Sequence, residues 1–233
     1  MGFLVLFPGK NSWIWWFVPT YSNLYHYGGN NPVRYVDPDG RIILAINEKF
    51  NMSINPLGNK KLGNSSTITF REEGYYVTTF ANIFSSSKYY GLSLANADRY
   101  DTPDKINSNK ELFVKDSSSF NGRENSMNAL FGAGKWDYWT REYQGIHGLE
   151  AKINEYVKSD KIYMIVGIFD LSSDTAGATN HMVGLSEGPD INGAFSNMTA
   201  TSRGDQNRGI NIRKDNAYNI TNLKEIRVIL LEE

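Results

Sequence analysis

Histidine is the side chain best suited to acid–base chemistry at neutral pH, and the sequence contains His26, His147 and His181. Cysteine is absent, so the chain has neither a thiolate nucleophile nor a thiolate metal ligand. His181 follows a polar stretch and opens an apolar run, which predicts an imidazole at the start of a buried strand. His181 is therefore the candidate general base, whereas the other two histidines are expected to be structural or to lie at the surface.

Two kinds of function that need no thiol are compatible with these residues. In a nuclease or another hydrolase, His181 and Asp205 would activate water while neighbouring arginines hold phosphate. No H-N-H pattern, paired metal-spaced carboxylates or glycine-rich phosphate loop supports this, so neither a metal nor a cofactor is predicted. The second alternative is a non-enzymatic binding or adhesion module that uses a cluster of aromatic side chains. That cluster consists of Trp136, Tyr138, Trp139 and Tyr143.

Composition indicates a globular protein without a strong electrostatic preference. The 233 residues are 40% hydrophobic and 21% charged, with a net charge of -1. The length suits one medium domain with an appendage, and the near-neutral charge makes nucleic acid and membranes unexpected partners. The N-terminal apolar runs are too short for a membrane helix and do not form a signal peptide.

The elements that must position His181 are predicted from periodicity and turn residues. Helices are expected to begin just after Gly74, at Thr102-Pro103, and over residues 148–158. Strands are expected at residues 41–47, 161–169, 181–185, 193–198 and 225–231. Because the helices precede most of the strands, the predicted fold class is α+β, with helices packed on an antiparallel sheet.

Residues 22–40 carry the densest local motif. Paired asparagines precede Pro32, a short aromatic and β-branched run follows, and residues 37–40 form an Asp-Pro-Asp-Gly turn. This order closely resembles the end of the RHS repeat-associated core, a YD-repeat family. In that family the motif closes a shell-forming core, and the sequence beyond it is a polymorphic toxin domain.

The resemblance implies an RHS core remnant over residues 1–40 and a variable effector domain over residues 41–233. Members of the family are secreted or delivered at the cell surface, act in competition between bacteria, and are neutralised by an immunity protein. Family members often have leucine after the motif and are cleaved nearby; here Arg41 stands at that position, so cleavage is not expected. Without a signal peptide, we expect an orphan cassette to remain cytoplasmic unless a longer parent protein exports it.

Within the variable domain, three segments resemble papain-like peptidases of the bacteriocin-processing group. Residues 73–83 are similar to the helix that carries the nucleophile, and residues 102–107 resemble the Thr-Pro segment that follows it. Residues 180–184 resemble the strand that carries the catalytic histidine. The resemblance implies a papain-like fold, and a protein or peptide substrate if the domain is active.

Residue by residue, the resemblance places Tyr75 at the nucleophile position and His181 at the base position. Asn197, or else Thr199, falls where the family has the residue that orients the histidine. The family uses a cysteine where this chain has Tyr75, and a phenol with a pKa near 10 is a poor nucleophile for acyl transfer. We therefore expect a domain that is degenerate as a cysteine peptidase, and whether it is an enzyme at all is left open.

Overall fold

A computed structural model describes residues 43–47, 49–50, 57–170, 180–195, 198–199 and 218–231. For residues 198–199 the description covers the backbone alone. The chain divides into two units after Val33, and every described residue belongs to the second unit, Arg34–Glu233. The motif at residues 22–40 and His26 therefore lie outside the described residues.

The described residues form α-helices and β-strands in the order helices, strand, helix, strands. The helices are α1 (Phe70–Glu73), α2 (Tyr75–Tyr89), α3 (Ala97–Tyr100), α4 (Pro103–Ser108), α5 (Arg123–Phe131) and α6 (Arg141–Val157). A 3₁₀-helix covers Lys110–Leu112. The strands are β1 (Trp136–Thr140), β2 (Tyr163–Phe169), β3 (His181–Leu185), β4 (Met198–Thr199) and β5 (Leu223–Leu230).

The strands form one sheet in the order β1-β5-β2-β3-β4, and every neighbouring pair is antiparallel. Strand β2 lies at its centre, where Val166 is opposite both Gly184 of β3 and Arg227 of β5. The predicted α+β class, with helices on an antiparallel sheet, is therefore confirmed.

Two hydrophobic cores lie on opposite faces of the sheet because successive side chains of a strand point in opposite directions. Met164 and Val166 of β2 join the core built with α2 and α5, whereas Ile165 joins the core built with α6. Each core therefore covers one face, and the long helices are held by side chains that alternate along the same strands.

Several predicted boundaries are confirmed. Helix α2 begins directly after Gly74, and β3 has the predicted bounds. Thr102 caps α4 by accepting a hydrogen bond from the Lys105 backbone N–H (3.3 Å), with Pro103 as the first helical residue. The local residue patterns at these positions therefore predicted where α2, β3 and α4 begin.

Other predicted elements are wrong. The predicted strand at residues 193–198 is wrong over its described start, because Gly193 has φ 79° in a turn in which its N–H donates to the Asp190 carbonyl oxygen. Met198, at the other end, lies in the short strand β4 (Met198–Thr199). Of the proposed strand at residues 41–47, the described part makes one bridge, Ile43 to Tyr163.

Helix α6 starts at Arg141 rather than at residue 148, and it is kinked at Gly145, which has φ 69°. Within the described residues, no helix combines the length and the apolar character needed to cross a membrane.

Candidate functional site

Tyr75 is the first residue of the longest helix on its face of the sheet, α2. The helix can start there because Gly74 lets the chain turn tightly against α1: a Cβ at residue 74 would lie 2.4 Å from the Phe70 carbonyl oxygen. The first backbone N–H groups of a helix have no partner within the helix, and the helix dipole is positive there. Tyr75 thus occupies a position that would favour a negative charge on a side chain.

His181 is the first residue of β3 and is 5% exposed. Its ring centroid lies 5.8 Å from that of Tyr75, with the planes tilted by 41°. The ring centroid of Tyr218 lies 5.9 Å from that of His181. The structure therefore brings Tyr75 and His181 together, with Tyr218 as an additional neighbour.

A second contact ties α2 to β3 beside this pair. The Thr79 hydroxyl, one turn after Tyr75, donates a hydrogen bond to the Met182 carbonyl oxygen (3.4 Å). The Tyr75 carbonyl oxygen lies closer (2.9 Å), so the single hydroxyl hydrogen of Thr79 is shared between the two acceptors. The start of α2 and the start of β3 are thus joined by a buried polar link as well as by the ring contact.

The electrostatic surroundings keep the Tyr75 hydroxyl neutral. Burial raises the pKa of Tyr75, the carboxylate of Glu73 raises it further, and the guanidinium of Arg227 acts in the opposite direction. Burial likewise raises the pKa of Tyr76. At neutral pH, Tyr75 is therefore a hydrogen-bond donor rather than a phenolate nucleophile.

One wall of the site is a turn anchored on the start of α2. The Tyr76 hydroxyl donates to the Ser118 carbonyl oxygen, and the Ser118 hydroxyl donates to Glu73 Oε2 (2.8 Å). Phe120 packs edge to face against Tyr76, with ring centroids 4.7 Å apart. Glu73 therefore contributes to both the shape of the site and its charge.

A buried charge network extends from the site into the sheet. Glu225 of β5 accepts from Arg227 Nε (2.6 Å) and from Arg123 of α5 (2.7 Å). Two guanidinium groups thus share one carboxylate, which leaves a net positive charge beside the core built with α2 and α5. Arg123 also lies over the Tyr138 ring, 4.2 Å from its centroid.

The proposed orienting residues are not brought to His181 by any described contact. Asn197 lies outside the described residues, as does Asp205 of the nuclease alternative. Thr199 lies in β4, where its backbone pairs with Gly184 of β3; the structure describes only the backbone of this residue. His147 lies within α6 with its side chain 99% exposed, away from the core.

No role was predicted from the sequence for Tyr218, Glu73 or Arg227. Tyr218 meets His181 through tertiary packing, which no local pattern reveals. Glu225 and Arg227, two residues apart in an apolar run, lie on one side of β5, and that spacing could have predicted a buried charge pair.

Most of the aromatic cluster is used in packing. Trp136 donates from Nε1 to Asn128 (2.7 Å) and stacks with Tyr138, with ring centroids 5.9 Å apart. Trp139 donates from Nε1 to the Tyr156 hydroxyl (3.0 Å). Tyr143 is 78% exposed. Only part of the predicted binding cluster therefore faces solvent.

Over the described ranges, no three histidine or carboxylate side chains are grouped so that they could hold a metal ion. The described side chains of the site are the imidazole of His181, the phenols of Tyr75, Tyr76 and Tyr218, the carboxylate of Glu73 and the guanidinium of Arg227. The sequence matches no protein-family model and no curated protein.

Proposed function

We propose that residues 41–233 are the effector domain of an RHS-type polymorphic toxin. On this proposal the domain has a papain-like arrangement in which Tyr75 replaces the nucleophilic cysteine, so it has no cysteine-peptidase activity. The main support is the contact between Tyr75 and His181, whose ring centroids are 5.8 Å apart. Tyr75 begins a helix and His181 begins a strand, as nucleophile and base do in the resembling peptidases.

The chemistry explains why this juxtaposition supports a peptidase ancestry. A thiol at the start of a helix is acidified by the dipole and by a neighbouring imidazolium, and the histidine then transfers protons in both halves of acyl transfer. The contact of the Thr79 hydroxyl with the Met182 carbonyl oxygen ties the helix to the strand that carries the histidine. These contacts support the proposal that the domain derives from a peptidase whose nucleophile has been replaced.

Loss of activity follows from the residue at position 75. The raised pKa of Tyr75 keeps its hydroxyl protonated, and no cysteine elsewhere in the chain can take over. We therefore propose a silenced effector, delivered as part of a longer parent protein and matched by an immunity protein.

The sharpest test uses the absence of other thiols. In a Tyr75→Cys variant, Cys is the sole thiol in the chain, so its ionisation can be followed directly by thiolate absorbance. Burial and the Glu73 carboxylate, which raise the pKa of Tyr75, act on this thiol too, but the proposed site requires the His181 imidazolium and the helix dipole to outweigh them. We therefore expect a thiol pKa below about 7.5, against about 8.5 for an unperturbed cysteine. Adding His181→Ala should return the thiol pKa toward about 8.5.

Tyr89→Cys is the matched control, because Tyr89 is the last residue of the same helix and is 53% exposed. A thiol there has the negative end of the dipole and no imidazole, so we expect a pKa of about 8.5 or higher. An equal pKa at residues 75 and 89 would contradict the proposed site.

Growth of bacteria that express the full chain provides the functional test. We expect Tyr75→Cys alone to slow growth, and the Tyr75→Cys/His181→Ala double variant to be harmless. If the natural chain already slows growth and Tyr75→Cys adds nothing, the peptidase-derived site is wrong, and nucleic-acid integrity should then be measured to test the nuclease alternative. If no variant is toxic, the binding-module alternative gains support.

A further inference from the structure

Helix α2 carries a polar stripe that continues beyond the candidate site. Tyr75, Thr79, Asn82 and Ser86 recur at helical spacing, and Tyr90 extends the series just past the helix end. Asn82 and Ser86 are buried, at 0% and 1% exposure. A buried asparagine and serine require partners, and both find them in one segment.

That segment, here named the strap, consists of residues 43–47 and 49–50. Asn82 Oδ1 accepts from the backbone N–H groups of Lys49 (3.1 Å) and Phe50 (2.8 Å), and Asn82 Nδ2 donates to the Phe50 carbonyl oxygen (3.0 Å). Ser86 Oγ accepts from the Asn47 N–H (2.8 Å). Residues 47, 49 and 50 of the strap are therefore held by side chains of α2, whereas its start pairs with β2 through the bridge from Ile43 to Tyr163.

The strap also contacts the sheet. Tyr90 donates to the Ala45 carbonyl oxygen (3.0 Å), and the next residue, Ile46, packs at 1% exposure against β3. A Cβ at Gly184 would lie 2.9 Å from Ile46 Cδ1, so a glycine is what allows this approach. The strap is thus wedged between α2 and β3, the elements that begin with Tyr75 and His181.

We propose that the strap fixes the spacing of Tyr75 and His181, with Asn82 and Ser86 as positioning residues for that pair. This inference rests on the proposed function, which makes the contact between Tyr75 and His181 important. The geometry of the strap itself does not depend on any activity. Thr79 joins α2 to β3 on the site side of the stripe, and the strap joins them on the far side. Removing the far link should let the start of α2 move relative to β3.

Adjacent serines provide a matched pair for the test. Ser86 and Ser87 are both buried, but Ser87 Oγ donates within its own helix, to the Phe84 carbonyl oxygen (2.9 Å). Ser86→Ala therefore removes a strap contact, while Ser87→Ala removes a local one. The full natural chain is used, with NMR as the readout, so neither a cysteine nor an activity is needed.

For Ser86→Ala we expect a weaker nuclear Overhauser contact between the rings of Tyr75 and His181. Amide exchange over residues 181–184 should be about fivefold faster, as loss of one hydrogen bond implies. Asn82→Ala should weaken the ring contact more than Ser86→Ala does. Gly184→Ala, which displaces Ile46 from the sheet side, should weaken the contact as Ser86→Ala does. Ser87→Ala should leave the ring contact unchanged.

Two results would overturn the proposal. One is an unchanged ring contact in Ser86→Ala and Gly184→Ala, even though the Asn47 amide exchanges faster in the former. The other is an equal loss of the contact in Ser87→Ala, which would indicate general loosening. A thiol with an ordinary pKa in Tyr75→Cys would contradict the proposed function while leaving this result valid.

Discussion

At the scale of single residues, Tyr75 determines what the site can do. The helix start at Tyr75 and the strand start at His181 were predicted from local features, whereas the pairing of the two residues was predicted from the resemblance to papain-like peptidases. The surrounding charges of Glu73 and Arg227 were not, since they depend on how α1 and β5 pack against α2. The local elements that carry Tyr75 and His181 could thus be predicted from the sequence, whereas the charges that shift the pKa of Tyr75 could not.

Tyr75 leads to a prediction about alkaline stability. Its folded-state pKa is raised above 10.0, so the fold favours the neutral phenol. That stabilisation is complete below the unfolded-state pKa and is lost as the pH rises through the folded-state pKa. Tyr75→Phe should change the free energy of unfolding at pH 8 by less than about 1 kcal/mol and make its decline above pH 10 shallower.

Urea denaturation at a series of pH values measures this effect, with Tyr89→Phe as the control, because Tyr89 is largely exposed. Burial also raises the pKa of Tyr156 to about 12, so some alkaline sensitivity should persist in either variant. A decline equally steep in the natural chain and in Tyr75→Phe would show that the Tyr75 hydroxyl is not tuned by the fold.

At the scale of elements, the elements with strong local signals were predicted and those that depend on packing were not. Helix α2 and strand β3 have clear periodicity and clear starts. Strand β1, rich in aromatic residues, exists as an element because β5 pairs along its whole length. Residues 193–195, predicted as the start of a strand, instead contain a turn at Gly193, whose φ of 79° is not that of an extended strand.

The charge network between α5 and β5 gives the prediction at this scale. Glu225 is 7% exposed and balances Arg227 and Arg123. Glu225→Ala would leave two guanidinium groups facing each other without a carboxylate, so we expect a loss of about 3 kcal/mol in the free energy of unfolding.

Lys60→Ala is the control, because the Lys60–Asp104 pair (3.2 Å) is exposed and should contribute less than about 1 kcal/mol. Urea denaturation at pH 7 compares the two variants. Similar small losses for both would mean that the network is screened by water despite its burial.

At the scale of the whole molecule, one sheet serves both cores, so the described region should unfold as one unit. Leu130 lies in the core on the α2 face and Ile153 in the core on the α6 face, each 0% exposed. Strand β2 contributes alternate residues to the two cores, and neither core can therefore open without exposing the other side of the same strands.

Leu130→Ala and Ile153→Ala should accordingly have the same global effect although they lie on opposite faces. Each should lower the free energy of unfolding by about 2–5 kcal/mol. Hydrogen exchange measured in low urea should then accelerate in both α2 and α6 for either variant, because both helices lose protection through one shared transition. If Ile153→Ala instead accelerated exchange in α6 alone, the two cores would be separate cooperative units, and the site between α2 and β3 could persist while the opposite face is open.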